Sequence, residues 1–114
     1  MANTFKLKTK SGVNGAALST VYTVPSSTTS VIIGLTISNI KGQSITTDAQ
    51  IVTAATSGEN GDDVYIIKDA PLPAGSSLEV MAGNKIVLQT TDAVQVKGSV
   101  ADAVDVILSI MEIT

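Results

Sequence analysis

The sequence predicts an all-β fold: a single-domain antiparallel β-sandwich, jelly-roll or Ig-like, of about eight or nine strands. Three observations carry that expectation. Apolar residues recur with a period of two, as in Val31, Ile33, Leu35 and Ile37 against Ile32, Gly34, Thr36 and Ser38, and no helical stripe competes. Turn-forming residues interrupt the chain roughly every 8 to 12 positions. The apolar content is almost purely aliphatic, since Phe5, Tyr22 and Tyr65 are the sole aromatics among 114 residues. A chain of that length can close one core without staples, so residues 1–114 read as one domain, with 1–12 as an N-terminal arm or edge strand.

Strands are expected near residues 4–9, 18–24, 30–39, 44–55, 63–69, 77–81, 85–90, 93–100 and 104–113. The first alternates Lys6, Lys8 and Lys10 with Phe5, Leu7 and Thr9. Those lysines either protect an edge or lie across an acidic neighbouring subunit. In the third, Val31, Ile33, Leu35 and Ile37 form the expected core face. Pro71 and Pro73 cannot donate to a ladder, so they end the fifth at Asp69 and force a corner, where Gly75 takes a positive φ. Residues 77–81 and 85–90 then read as a hairpin about Gly83 and Asn84. The abundant residues Thr (14) and Ser (12) suit outward strand positions.

The last strand carries the strongest hint of function. Val104, Val106, Leu108 and Ile110 make one apolar face, and Ile107, Met111 and Ile113 make the other apolar too. Such a strand is central in a doubly covered sheet or lies in an interface; with so short a chain to cover it, an interface through Ile107, Met111 and Ile113 is expected, and the chain reads as a homo-oligomer.

Charge and composition argue against other classes. Seven lysines, no arginine and ten carboxylates give a net charge of −3, and three of the lysines sit between positions 6 and 10. A nucleic-acid partner is not expected, because the remaining surface lacks the basic face that phosphates require. No membrane association is expected, for no apolar run reaches spanning length, and MANTFKLKTKSG has no apolar core of a secretory signal. Without His or Cys, thiol chemistry and the commonest acid–base and metal ligands are missing, so no enzyme, catalytic residue, cofactor or metal is expected. The one cation candidate is the loop SGENGDD, with Glu59, Asp62 and Asp63, whose spacing does not match a known calcium loop; a solvated hairpin tip is the plainer reading. Tyr22 and Tyr65 alternate with apolar neighbours and read as core or rim residues, which leaves little aromatic platform for a host glycan.

Segments VYTVPSSTTSVIIGLTISNI, VYIIKDAPLPAGSSLEVMAGNKIVLQTTDAVQVKGSV and DVILSIMEI resemble small β-sandwich structural proteins of tailed bacteriophages of the marine and cyanobacterial type. The shared features are a Tyr-Thr-x-Pro corner (Tyr22 to Pro25), an aliphatic strand ending at Asn39, a Pro-Ala-Gly-x-Ser-Leu-Glu turn (Pro73 to Glu79) and a Gly-x-Lys turn (Gly83 to Lys85). Thr91-Asp92 stands where the family has Gly-Asp. The resemblance implies a virion protein made in the host bacterial cytoplasm, whose partners are other virion proteins, major capsid or neck and tail. Capsid decoration is the first expectation; a neck, tail or baseplate component, or a glycan-binding module of an appendage, is the alternative.

Overall fold

The computed structural model describes residues 2–13, 15, 17–53, 62–81 and 84–114. Nine strands follow in order among them: β1 (Asn3–Lys10), β2 (Ser19–Thr23), β3 (Thr29–Asn39), β4 (Ile45–Val52), β5 (Val64–Leu72), β6 (Ser77–Glu79), β7 (Ile86–Leu88), β8 (Ala93–Gly98) and β9 (Val104–Ile113). They form two antiparallel sheets. One runs β1-β9-β3, with β6 and β7 both on the far edge of β3; the other runs β2-β8-β4-β5. Packed face to face, the sheets make the expected β-sandwich.

Its core is aliphatic. Ile32, Leu35, Ile37, Val106, Leu108 and Ile110 reach inward from the first sheet and meet Ala49, Ile51, Val94 and Val96 from the second. Leu72 and Leu88 close the flanks, and burying such side chains contributes about 1.5–3 kcal/mol each. Three small polar residues break the outward pattern of Ser and Thr: Thr28, Ser30 and Thr47 are buried, Thr47 donating its hydroxyl to Lys97 O at 2.8 Å.

Three sequence expectations need correction. The first concerns β3. Its ladder with β9 slips between Ile32 and Gly34, and a bulge of one residue swaps the faces of everything beyond it. The core face is therefore Ser30 and Ile32, then Leu35, Ile37 and Asn39, while Val31 and Ile33 point away from the core.

The second concerns residues 77–90. β6 and β7 do not pair with each other. Both lie on β3, β6 against Thr36–Ser38 and β7 against Ser30–Ile32. They are two halves of one interrupted edge strand, and the interruption falls opposite the bulge, where β3 cannot offer a regular ladder. Val80 still donates to Leu35 O and Asn84 to Met81 O; Gly83 lies outside the described residues.

The third concerns Pro71. β5 does not stop at Asp69 but runs on to Leu72, with Pro71 opposite Thr46. An edge strand tolerates this because its outer side needs no N–H. Asp69 takes a φ of 52° at a second bulge, and its N–H donates to Asp48 Oδ1 at 2.6 Å. Past the edge, Gly75 has the expected positive φ, 70°, in a turn closed by Ser76 N–H to Pro73 O at 3.2 Å.

Candidate functional site

The two sheets present very different outer faces. On the first, ladder partners line up Phe5 of β1, Met111 of β9, Val31 of β3 and Val87 of β7 in one row across four strands. Leu7, Ile107 and Ile33 flank this row on the same side. Phe5 is 72% exposed, Leu7 64% and Val87 57%. The corresponding row on the second sheet is Thr20, Gln95, Gln50 and Tyr65, with Gln95 Nε2 donating to Thr20 Oγ1 at 3.1 Å.

Why β1 shows its apolar side to solvent follows from its register. Lys6, Lys8 and Lys10 pair with Ile110, Leu108 and Val106, the inward residues of β9, so the lysines must share the inner side. Phe5, Leu7 and Thr9 are thereby turned out beside Met111, Ser109 and Ile107. Two of the lysines, Lys6 and Lys8, find partners at the open flank of the sandwich. Lys6 Nζ lies 2.7 Å from Glu112 Oε1, and Lys8 Nζ lies 5.9 Å from the centre of the Tyr22 ring. This is the edge-protection arrangement of an inward-pointing charge, and Lys6 is paired within its own chain.

Glu112 anchors a buried polar cluster. Its Oε2 accepts the Tyr22 hydroxyl at 2.5 Å, and Tyr22 Oη shares a hydrogen bond of 2.6 Å with Ser30 Oγ. The bond from Lys6, then that from Tyr22, hold the Glu112 carboxyl below the usual glutamate range against the opposing effect of burial. Burial foremost, with the Glu112 bond behind it, pushes the Tyr22 hydroxyl up from 10.0 to about 12, while Ser30 opposes. Among the described residues no buried side-chain polar atom lacks a partner, so this cluster is complete without a ligand.

Of the residues expected at an interface, Lys6, Lys8 and Lys10 are on the inner side of β1 and the three apolar ones are on the outer face. Ile107, Met111 and Ile113 all lie on the outer face of the first sheet, with Ile107 45% exposed and the other two half-buried. β9 is central between β1 and β3, covered by the core on one side only. At one end the face continues into an open groove of about 500 Å³ lined by Thr9, Ser38, Ile40, Asp105 and Ile107. Sequence reasoning missed Phe5, Leu7, Val31 and Val87; the alternation of Phe5 and Leu7 with lysines was the available signal.

Of the cation candidates, Glu59 lies outside the described residues; Asp63 Oδ1 accepts from Thr53 N–H at 3.0 Å, and Asp62 O accepts from Thr53 Oγ1 at 3.1 Å, so both close the β4–β5 connection. Among the described residues no group of three or more His, Cys, Asp or Glu side chains could hold a metal. Asp48, buried on the outer face of the second sheet, is held by the Asp69 N–H and by Lys68 Nζ at 3.4 Å. Asp48 foremost and Asp69 next raise the Lys68 pKa.

No family model and no curated protein matches the chain. A solved structure similar to it comes from Bacillus endospore appendages, described as a novel family of disulfide-linked pili; it is 13% identical, the match covers 96% of this chain and 86% of that chain, and the TM-score is 0.49.

Proposed function

We propose that this protein is a structural subunit of a tailed-bacteriophage virion that acts by binding other virion proteins, with capsid decoration as its station. The observation that carries the reading is the outer face of the first sheet. An apolar row four strands wide, left uncovered by the described residues of its own chain, is what an assembling subunit presents and a lone monomer avoids. Sequence segments resembling phage structural proteins supply the particle.

The rest of the molecule is consistent with that work. The residues that carry the resemblance build the frame: Val24 N–H donates to Asp92 O and Thr91 N–H to Val24 O, pinning the Pro25 corner to the 91–92 turn, and Asn39 Nδ2 donates to Gln43 O and Leu72 O. A glycan-binding role finds less support. The exposed ring of Tyr65 has Lys68 Nζ 5.1 Å from its centre, so one face is already taken.

Mass spectrometry of purified particles from an infected host tests the proposal. Presence at a copy number matching the capsid lattice supports capsid decoration. A copy number matching the low symmetry of neck or tail moves the subunit there, and absence from the particle refutes the virion reading.

A further inference from the structure

We propose that the outer face of the five-stranded sheet is a self-complementary interface, on which a second copy of this chain packs sheet against sheet. The inference rests on the reading of the chain as an assembling subunit and names the partner of that surface.

Area is the first argument. Phe5, Leu7, Ile33, Val87 and Ile107 are between 39% and 72% exposed, which leaves on the order of 500 Å² of apolar surface in one patch, at the upper end of what a monomer shows. A face four strands wide and eight residues long measures about 19 by 26 Å. Counting its Thr, Ser and Asn positions as well, it offers close to the roughly 800 Å² per partner of a standard stable interface, at the apolar fraction typical of homodimers.

Charge selects the occupant. Across β1, β9 and β3, from the row of Asn3, Ile113 and Thr29 to the row of Thr9, Ile107 and Thr36, the outward positions carry no charge; charge returns at the margin, where Glu79 of β6 stands beside Thr36 and accepts its hydroxyl at 2.9 Å. The chain has a net charge of −3, so two copies repel wherever their charges face each other and least where there are none. The second sheet is the contrary case: Asp48, Lys97 and Lys68 stand on its outer side. Lysines that would have lined β1 with positive charge are turned under, Lys6 being neutralised by Glu112.

Twist supplies the third argument. Sheets pack face to face at an angle set by their own twists, and an identical copy matches this twist without adjustment. A two-fold pairing of one patch with itself is also the commonest closed assembly of soluble proteins.

Sedimentation equilibrium of the purified full chain tests this, with Phe5→Lys and Val87→Lys on the proposed face and Thr20→Lys on the other sheet. All three positions are exposed or edge-placed, and far-UV circular dichroism verifies that each variant keeps its sheet. The wild type and Thr20→Lys are expected to dimerise in the micromolar range, and Phe5→Lys and Val87→Lys to dimerise about 100-fold more weakly or worse, because each buries an unpaired ammonium. A wild type that stays monomeric at about 1 mM overturns the proposal and leaves the face to a partner of different sequence. Association untouched by both sheet-face variants, or broken by Thr20→Lys alone, overturns it too. A dimer formed by a chain that is missing from virions upholds this inference while refuting the virion reading.

Discussion

Lys6 Nζ sits 2.7 Å from Glu112 Oε1 and ties the first strand of the chain to the last, two residues that are ladder neighbours only diagonally. Glu112 is buried while the Lys6 side chain remains 43% exposed, so breaking the pair from either side has unequal effects. Lys6→Met leaves the carboxylate with its Tyr22 bond and should cost about 1 kcal/mol, since a half-exposed partner is screened. Glu112→Ala removes the acceptor of Tyr22 and opens a space, and should cost about 2–3 kcal/mol. Urea unfolding of the two variants and the double variant checks this; the double should lose less than the sum.

The same cluster sets the pH range of stability. The Glu112 pKa is lower folded than unfolded, so its contribution is full above the ordinary glutamate value and is lost as pH falls through the depressed one. Tyr22 runs the other way: raised to about 12, it contributes fully below 10.0 and loses that contribution as pH rises towards about 12. Unfolding free energy followed against pH should therefore decline at both ends. Tyr22→Phe should flatten the alkaline limb, and Lys6→Met should shorten the acid limb from its low-pH end and make it shallower.

Ile32 and Ile33 lie on opposite faces of β3, and the bulge at Ile33 puts Leu35 on the inner face with Ile32. Ile32 is fully buried and Ile33 is 39% exposed. Ile32→Ala should destabilise by about 2–5 kcal/mol, whereas Ile33→Thr should change stability by less than about 1 kcal/mol. Thermal melts at concentrations that keep the chain monomeric separate the two; an equal or larger loss from Ile33→Thr would contradict the placement of Ile32 on the core face.

Two glycines should respond for different reasons. At Gly75 the φ is 70° and a Cβ would meet nothing within 4 Å, so Gly75→Val costs conformational strain alone, on the order of 1 kcal/mol. At Gly98 a Cβ would lie 2.7 Å from Val104 Cγ2 inside the core, and Gly98→Ala should cost about 1–3 kcal/mol by overpacking. Association should follow stability in both variants. A Gly75→Val protein that melts normally but no longer assembles would make that turn a contact surface.

Salt distinguishes the face from the lysines. If the apolar outer face drives association, raising salt from about 0.1 M to about 1 M should leave the dimer unchanged or tighten it. Weakening with salt, measured by sedimentation, would return the role to Lys6, Lys8 and Lys10.

Much of this molecule follows from local sequence. Period-two alternation placed the strands to within a few residues, as with 104–113 and 30–39, because pleating forces successive side chains to opposite faces. Turn chemistry did the same for Gly75. The alternation of Phe5 and Leu7 with Lys6, Lys8 and Lys10 likewise determined that β1 has one apolar and one charged face. Which of those faces looks inward was beyond it. The tertiary structure decided that when β1 paired with β9: four core residues, Val104, Val106, Leu108 and Ile110, fix which side of β9 is buried, and a neighbouring strand inherits that parity through its ladder. The lysines were carried under, towards Glu112, and Phe5 and Leu7 were carried out. The bulge at Ile33 and the splitting of one edge into β6 and β7 are decisions of the same kind. They depend on the register between strands distant in sequence, and a periodicity read along one strand contains no register.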